Sequence, residues 1–139
     1  LEAVEQIEQI VASVLETVKD DDEVEFITLD MNGLTGHIDH IAAARAASLV
    51  FFRHQKTDAR FTKIKYYCLT DHDYPVPTTE WLYMDAGRSA DEIDEIIDAR
   101  QYREEILTIM RAHHSQRDDI KAIIDRLGDR LGINNFIVR

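Results

Sequence analysis

The stretch VEFITLDMNGLTGHIDHIAAARAASLVFF, residues 24–52, decides the fold. It opens with a near-continuous apolar run, Val24 to Leu29, which predicts a strand covered on both faces, as in α/β sheets. Gly33 and Gly36 punctuate the loop that follows. The segment from Ile38 to about Phe52 is rich in Ala and predicts a helix. Within that loop, residues 32–40 read NGLTGHIDH, two histidines with an aspartate between them. The junction is either a metal site at the end of a strand or a polar loop that happens to hold two histidines.

Working outward, Val4, Ile7, Ile10, Val11, Val14, Leu15 and Val18 recur at helical spacing, and Lys19 suits the negative end of that helix. Asp20 to Glu23 is a solvated turn. Downstream, Ile64 to Leu69 (IKYYCL) has the β-branched and aromatic content of a buried strand. After Thr70 the pattern breaks. DHDYPVPTTEWLYMDAGRS carries both prolines and the only tryptophan, and reads as an irregular excursion with Val76–Pro77 and Trp81–Met84 extended. An irregular segment of that length inside a domain is often functional. Helix resumes near Ser89 or Asp98, with Tyr102, Ile106, Ile109, Met110 and His113 on one face. Another helix is expected from about Arg117 to Leu131, capped by Gly132, and FIVR could form a last strand. Such alternation predicts α/β layering around a mostly parallel sheet. No repeat, low-complexity tract or linker divides residues 1–139, so one domain is expected.

Composition bounds the function. With 139 residues and 45% hydrophobic content, the chain can bury roughly two-thirds of its unfolded surface. Its net charge of −11 argues against nucleic acid, whose binding rests on cationic neutralisation, and against anionic membrane surfaces. No run is long and apolar enough to span a bilayer. The single Cys68 excludes an internal disulfide and a cysteine-rich zinc site, and fits a cytoplasmic location. The chain begins at Leu1 inside a good helix, so its native start is expected upstream and the lack of a targeting segment is uninformative.

Several side chains are candidates for chemistry. With a helix starting near Ile38, His37 and His40 lie about one turn apart on the same side. They sit at the carboxyl end of a strand, where open α/β sheets bind ligands. Neutral imidazole ligates zinc, and Asp39 could orient a histidine. An H-x-x-H pair is nonetheless common, and a His-Asp-His trio can simply cap a helix. In His113-His114-Ser115-Gln116, His113 falls on an apolar helix face, and Ser115 or Gln116 could hydrogen-bond across a site. The plain alternative is a histidine stabilised at the helix's negative end. Asp71, His72, Asp73 and Asp85 are compatible with catalysis but read first as solvated loop residues, Tyr66 and Tyr67 as strand packing, and Cys68 as an inert buried thiol.

Taken together, two motifs carry a resemblance. Asp30-x-x-Gly33-x-x-Gly36-His37-x-Asp39-His40, followed by an alanine-rich helix, resembles a signature of the LmbE/PIG-L zinc-dependent de-N-acetylases. His113-x-Ser115-Gln116 resembles that family's H-x-S-Q signature, and KIKYYCLT its strand after the histidine helix. The resemblance covers nearly the whole chain. It implies a Rossmann-like α/β sandwich that removes N-acetyl groups from amino-sugar conjugates. It makes His40 a zinc ligand, His37 the residue facing the reacting amide, and Asp39 the carboxylate that tunes them. Asp30, His113, Ser115 and Gln116 are then expected to bind substrate or support the ligands. Thr35 stands where some relatives carry tyrosine.

One departure matters. The family's H-P-D-D signature supplies a histidine and an aspartate to zinc, and a second aspartate as the base that activates water. The chain has no such motif. A catalytic zinc needs three protein ligands, and only His40 is assignable. The expectation is therefore the C-terminal part of a longer enzyme, its sheet incomplete at the N-terminal strands, binding zinc weakly and inactive alone. Loss of those strands exposes apolar edges, which favours self-association into a homo-oligomer. The alternatives are a non-catalytic α/β binding or assembly module, using the Tyr74–Met84 excursion as a contact surface, and a degenerate relative that lost the motif.

Overall fold

The near-continuous apolar run forms β1, Val24–Leu29, and the Ala-rich segment forms an 18-residue helix, α3, Ile38–Gln55. A short helical turn, α2 (Gly33–Gly36), lies between them. The computed structural model describes residues 2–77, 79 and 82–139. The remaining elements are α1 (Glu2–Leu15), β2 (Phe61–Cys68), β3 (Glu95–Asp98), α4 (Arg103–Arg111), α5 (Arg117–Leu127) and β4 (Ile133–Val138). Single 3₁₀ turns occupy Ala90–Glu92, Arg100–Tyr102, His114–Gln116 and Gly128–Arg130.

The four strands form one mixed sheet in the order β1-β2-β4-β3. This is an α/β arrangement, but the sheet is not mostly parallel as the alternation predicted. β1 and β2 pair parallel, whereas β2–β4 and β3–β4 pair antiparallel. The reason is β3, which sequence reading took for the start of a helix. Ile93, Ile96 and Ile97 mimic helical spacing, yet tertiary pairing overrides it. Glu95 to Asp98 pair with β4, Asp94 accepts from the Val138 backbone N–H at 2.8 Å, and Glu95 reaches Lys65 at 3.0 Å. α5 also ends earlier than expected. Gly128, at φ +50°, terminates it, and Gly132, at φ +105°, instead turns the chain into β4.

Helices α1 and α3 cover one face of the sheet. Val11, Val50, Phe51, Phe61, Ile64, Tyr66 and Ile137 form the core there. Full burial of a side chain the size of Val50, Phe51 or Ile64 contributes about 1.5–3 kcal/mol. His54 of α3 stacks on Phe61 and meets Glu8 of α1 at 2.7 Å, pinning the two helices together. The expectation that β1 is covered on both faces fails. Side chains alternate along a strand, and Ile27, on the side away from Phe26, is 66% exposed. On that second face Lys65 lies buried between Glu25 (3.2 Å) and Glu95 (3.0 Å).

Pairing sense places the candidate residues. Because β1 and β2 are parallel, the loop after β1 and the excursion after β2 leave the same end of the sheet. β3 pairs antiparallel to β4, with Asp98 opposite Ile133, so α4 and α5 rise from that end too.

Candidate functional site at the β1–α3 junction

The loop between β1 and α3 is closely determined. Gly33 (φ +72°) and Gly36 (φ +80°) take left-handed conformations that glycine adopts without steric cost. A Cβ on Gly33 would lie 2.7 Å from the Ile41 side chain, and one on Gly36 would lie 2.9 Å from the Leu82 carbonyl oxygen. Between them Leu34 has φ +66° and ψ −57°, the rare γ-turn conformation, which costs a non-glycine residue strain energy. The Asn32 side chain accepts from the Leu34 N–H at 2.9 Å and steadies that turn.

This loop delivers two histidines in different electronic states. His37 is the N-cap of α3, and its Nδ1 accepts from the Asp39 backbone N–H at 3.3 Å. An accepting Nδ1 puts the proton of the neutral ring on Nε2. His40, one turn along, has Nδ1 at 3.2 Å from the Gly33 carbonyl oxygen. A carbonyl only accepts, so here Nδ1–H donates, and in the neutral ring Nε2 keeps its lone pair. The two rings stack with centroids 4.7 Å apart. The junction thus places a neutral-ring nitrogen of metal-ligand type on His40, beside a second imidazole. A carbonyl hydrogen-bonded to the remote nitrogen is the usual support of a metal-binding histidine.

Asp30 stands behind the loop. It is 2% exposed, and Arg88 grips its carboxylate bidentately, Nε at 2.8 Å and Nη2 at 3.0 Å. The Asp30 hydrogen bond raises the Arg88 pKa further, so the guanidinium stays charged throughout the accessible pH range. Arg88 also donates to Glu92 at 2.8 Å. Its backbone closes the neck of the excursion: Arg88 N–H donates to the Leu69 carbonyl, and Asp71 N–H to the Arg88 carbonyl. Two polar cavities flank this arginine. One of about 520 Å³ is lined by Asp30, Met31, Tyr66 and Arg139, the other of about 620 Å³ by Asn32, Tyr83 and Asp85, and both reach Arg88 and Glu92. Each has the size of a small-molecule site, and neither is lined by His37 or His40.

Within the excursion Asp73 is not solvated as expected: its side chain is buried and anchored by Thr70 and Arg130. Burial alone would raise its pKa, but those hydrogen bonds outweigh burial and the net shift is downward. Burial pushes the Cys68 thiol up to about 11, in keeping with an inert role. Val76 lies in a bend rather than a strand. The expected extended conformation at Trp81 falls outside the described residues.

The other sequence candidates are less built in. Asp39 is exposed in the first turn of α3; it serves His37 through its backbone, and no described residue hydrogen-bonds its carboxylate. His113, His114, Ser115 and Gln116 are all exposed, on the turn joining α4 to α5. The hairpin is tied down at its other end, by Arg103 to the Gly128 carbonyl, Arg126 over the Tyr74 ring and Arg130 to Asp73. The turn is therefore its far tip, roughly 15 Å along α5 from those ties at 1.5 Å rise per residue. His113 does not sit on the apolar face of α4, which ends at Arg111. No described hydrogen bond or ring contact joins this turn to His37 or His40.

Among the described residues no group of three His, Cys, Asp or Glu side chains is placed to hold a metal. His40 fits one ligand position of a zinc site, and the described residues do not complete a centre. Comparison with known proteins returned no matching family model, curated protein or solved structure. No helix among the described residues is long and apolar enough to cross a membrane. Sequence reasoning missed Arg88. A buried aspartate demands a cationic partner, but 16 lysines and arginines compete for the assignment.

Proposed function

We propose that the chain is part of a zinc-dependent hydrolase that removes an N-acetyl group from an amino-sugar conjugate. The observation that carries this reading is the His40 ring, whose Nδ1–H donates to the Gly33 carbonyl and leaves Nε2 of the neutral ring as a ligand nitrogen, stacked on His37 at the head of α3. Zinc, when bound, would supply the Lewis acid for the acetyl carbonyl. His40 would hold it, together with ligands and a water-activating carboxylate from elsewhere in the intact protein. His37 would donate to the oxygen that gains charge, or protonate the departing amine. Asp39 holds the His37 ring through its backbone N–H. The Rossmann-like arrangement belongs to the same proposal, since β1 is an edge strand at which further parallel strands would extend the sheet. A cytoplasmic location is part of it as well.

The test is acetate release from N-acetylglucosaminyl conjugates by the intact protein. Release is expected, lost on chelation and with His40→Ala. His37→Ala is expected to lower kcat about 10²–10⁴-fold, as for loss of a general acid. An intact protein that binds these conjugates and never releases acetate contradicts the proposal.

A second reading, an assembly module, has its own support. Ile10 (62% exposed), Val14 and Ile27 line an apolar cavity of about 390 Å³ between α1 and the free edge of β1. The module reading requires concentration-dependent association in sedimentation velocity that Ile27→Lys abolishes without loss of folding, in an intact protein that releases no acetate; acetate release separates the two readings.

A further inference from the structure

We infer that Arg88 is a positioning residue for His40, acting through three consecutive contacts. It grips the buried Asp30 carboxylate by two hydrogen bonds. The Asp30 carbonyl accepts from the Gly33 N–H at 2.8 Å. The Gly33 carbonyl accepts from His40 Nδ1–H at 3.2 Å, which leaves the lone pair on Nε2. Each link constrains the next. Asp30 is almost fully buried, so without a cation its carboxylate would seek water and turn the residue. Gly33 and Leu34 both hold positive φ, a conformation that persists only where its surroundings determine it. A rotated Gly33 carbonyl no longer selects the His40 tautomer. Arg88 is also the closing residue of the excursion, bonded through its backbone to Leu69 and Asp71. The electronic state of the histidine therefore depends on the excursion being closed. The inference rests on the reading of His40 as the ligand, because that reading gives the tautomer its consequence.

The experiment is ¹⁵N histidine NMR on this chain without metal, at a mildly alkaline pH where the tautomers of the neutral ring are read. Wild type is expected to show His40 as the Nδ1–H tautomer. Arg88→Met is expected to move it to a mixture in which Nε2–H predominates, as in free imidazole side chains. Arg88→Lys, with one ammonium in place of a planar fork, is expected to fall between. Arg100→Met removes an arginine from the exposed pair with Asp98 and should leave the His40 signals unchanged. A folded Arg88→Met chain with wild-type His40 signals overturns the inference and leaves the ligand reading standing. Should Arg88→Met fail to fold, unchanged His40 signals in Arg88→Lys overturn it instead. A wild-type His40 protonated on Nε2 overturns both the inference and the ligand reading.

Discussion

The β1–α3 junction combines two positive-φ glycines, a positive-φ leucine and a buried Asp30–Arg88 pair with two stacked imidazoles, each tied by Nδ1 to the backbone. The α4–α5 turn carries two histidines as well, and leaves all four residues from His113 to Gln116 in solvent at the tip of a hairpin. Strain and burial cost free energy, so they persist where the surroundings enforce one geometry. The junction is such a place. The tip, with few apolar contacts and exposed backbone, belongs to the low-stability end of the molecule.

Breaking the junction's hidden support should have the largest effect. Arg88→Met leaves the Asp30 carboxylate buried and unpaired, and is expected to cost about 3–5 kcal/mol in urea unfolding. Asp73 anchors the excursion to the base of the hairpin, so Asp73→Asn at neutral pH should cost about 1.5–3 kcal/mol, as for hydrogen bonds to a charged group. Its pKa is lowered in the folded state, so its contribution is full above the unfolded value of about 4. That contribution is lost as pH falls through the folded value. The gap in melting temperature between wild type and Asp73→Asn should therefore close on acidification. Gly36→Ala puts an L-residue at φ +80° against the Leu82 carbonyl, and should cost about 1–2 kcal/mol by thermal melting. At the tip, alanine at His113, Ser115 and Gln116 should each change stability by no more than about 0.5 kcal/mol. A tip variant as costly as Gly36→Ala would erase the contrast.

How much was legible in the sequence follows the same divide. β1 was readable to the residue because its apolar run is bounded by Glu23 and Asp30, and α3 because its five alanines favour helix. The two histidines were readable as a junction, because Gly33 and Gly36 mark the turn. β3 was not readable, since its isoleucines fit a helix and only pairing with β4 makes them a strand. The direction of β4 was hidden for a related reason: strand sense depends on what comes between, and β3 lay there unseen. Arg88 was hidden because a long-range ion pair leaves no local pattern, with 58 residues separating it from Asp30.

The most direct test of the central claim is a zinc titration of this chain followed by histidine NMR. Weak binding is expected, with His40 Nε2 the first signal to respond, no such response at His113 or His114, and the response abolished in His40→Ala. Stoichiometric sub-micromolar binding, or binding that survives His40→Ala and reports at the tip, would contradict the assignment of the junction as half of a zinc site.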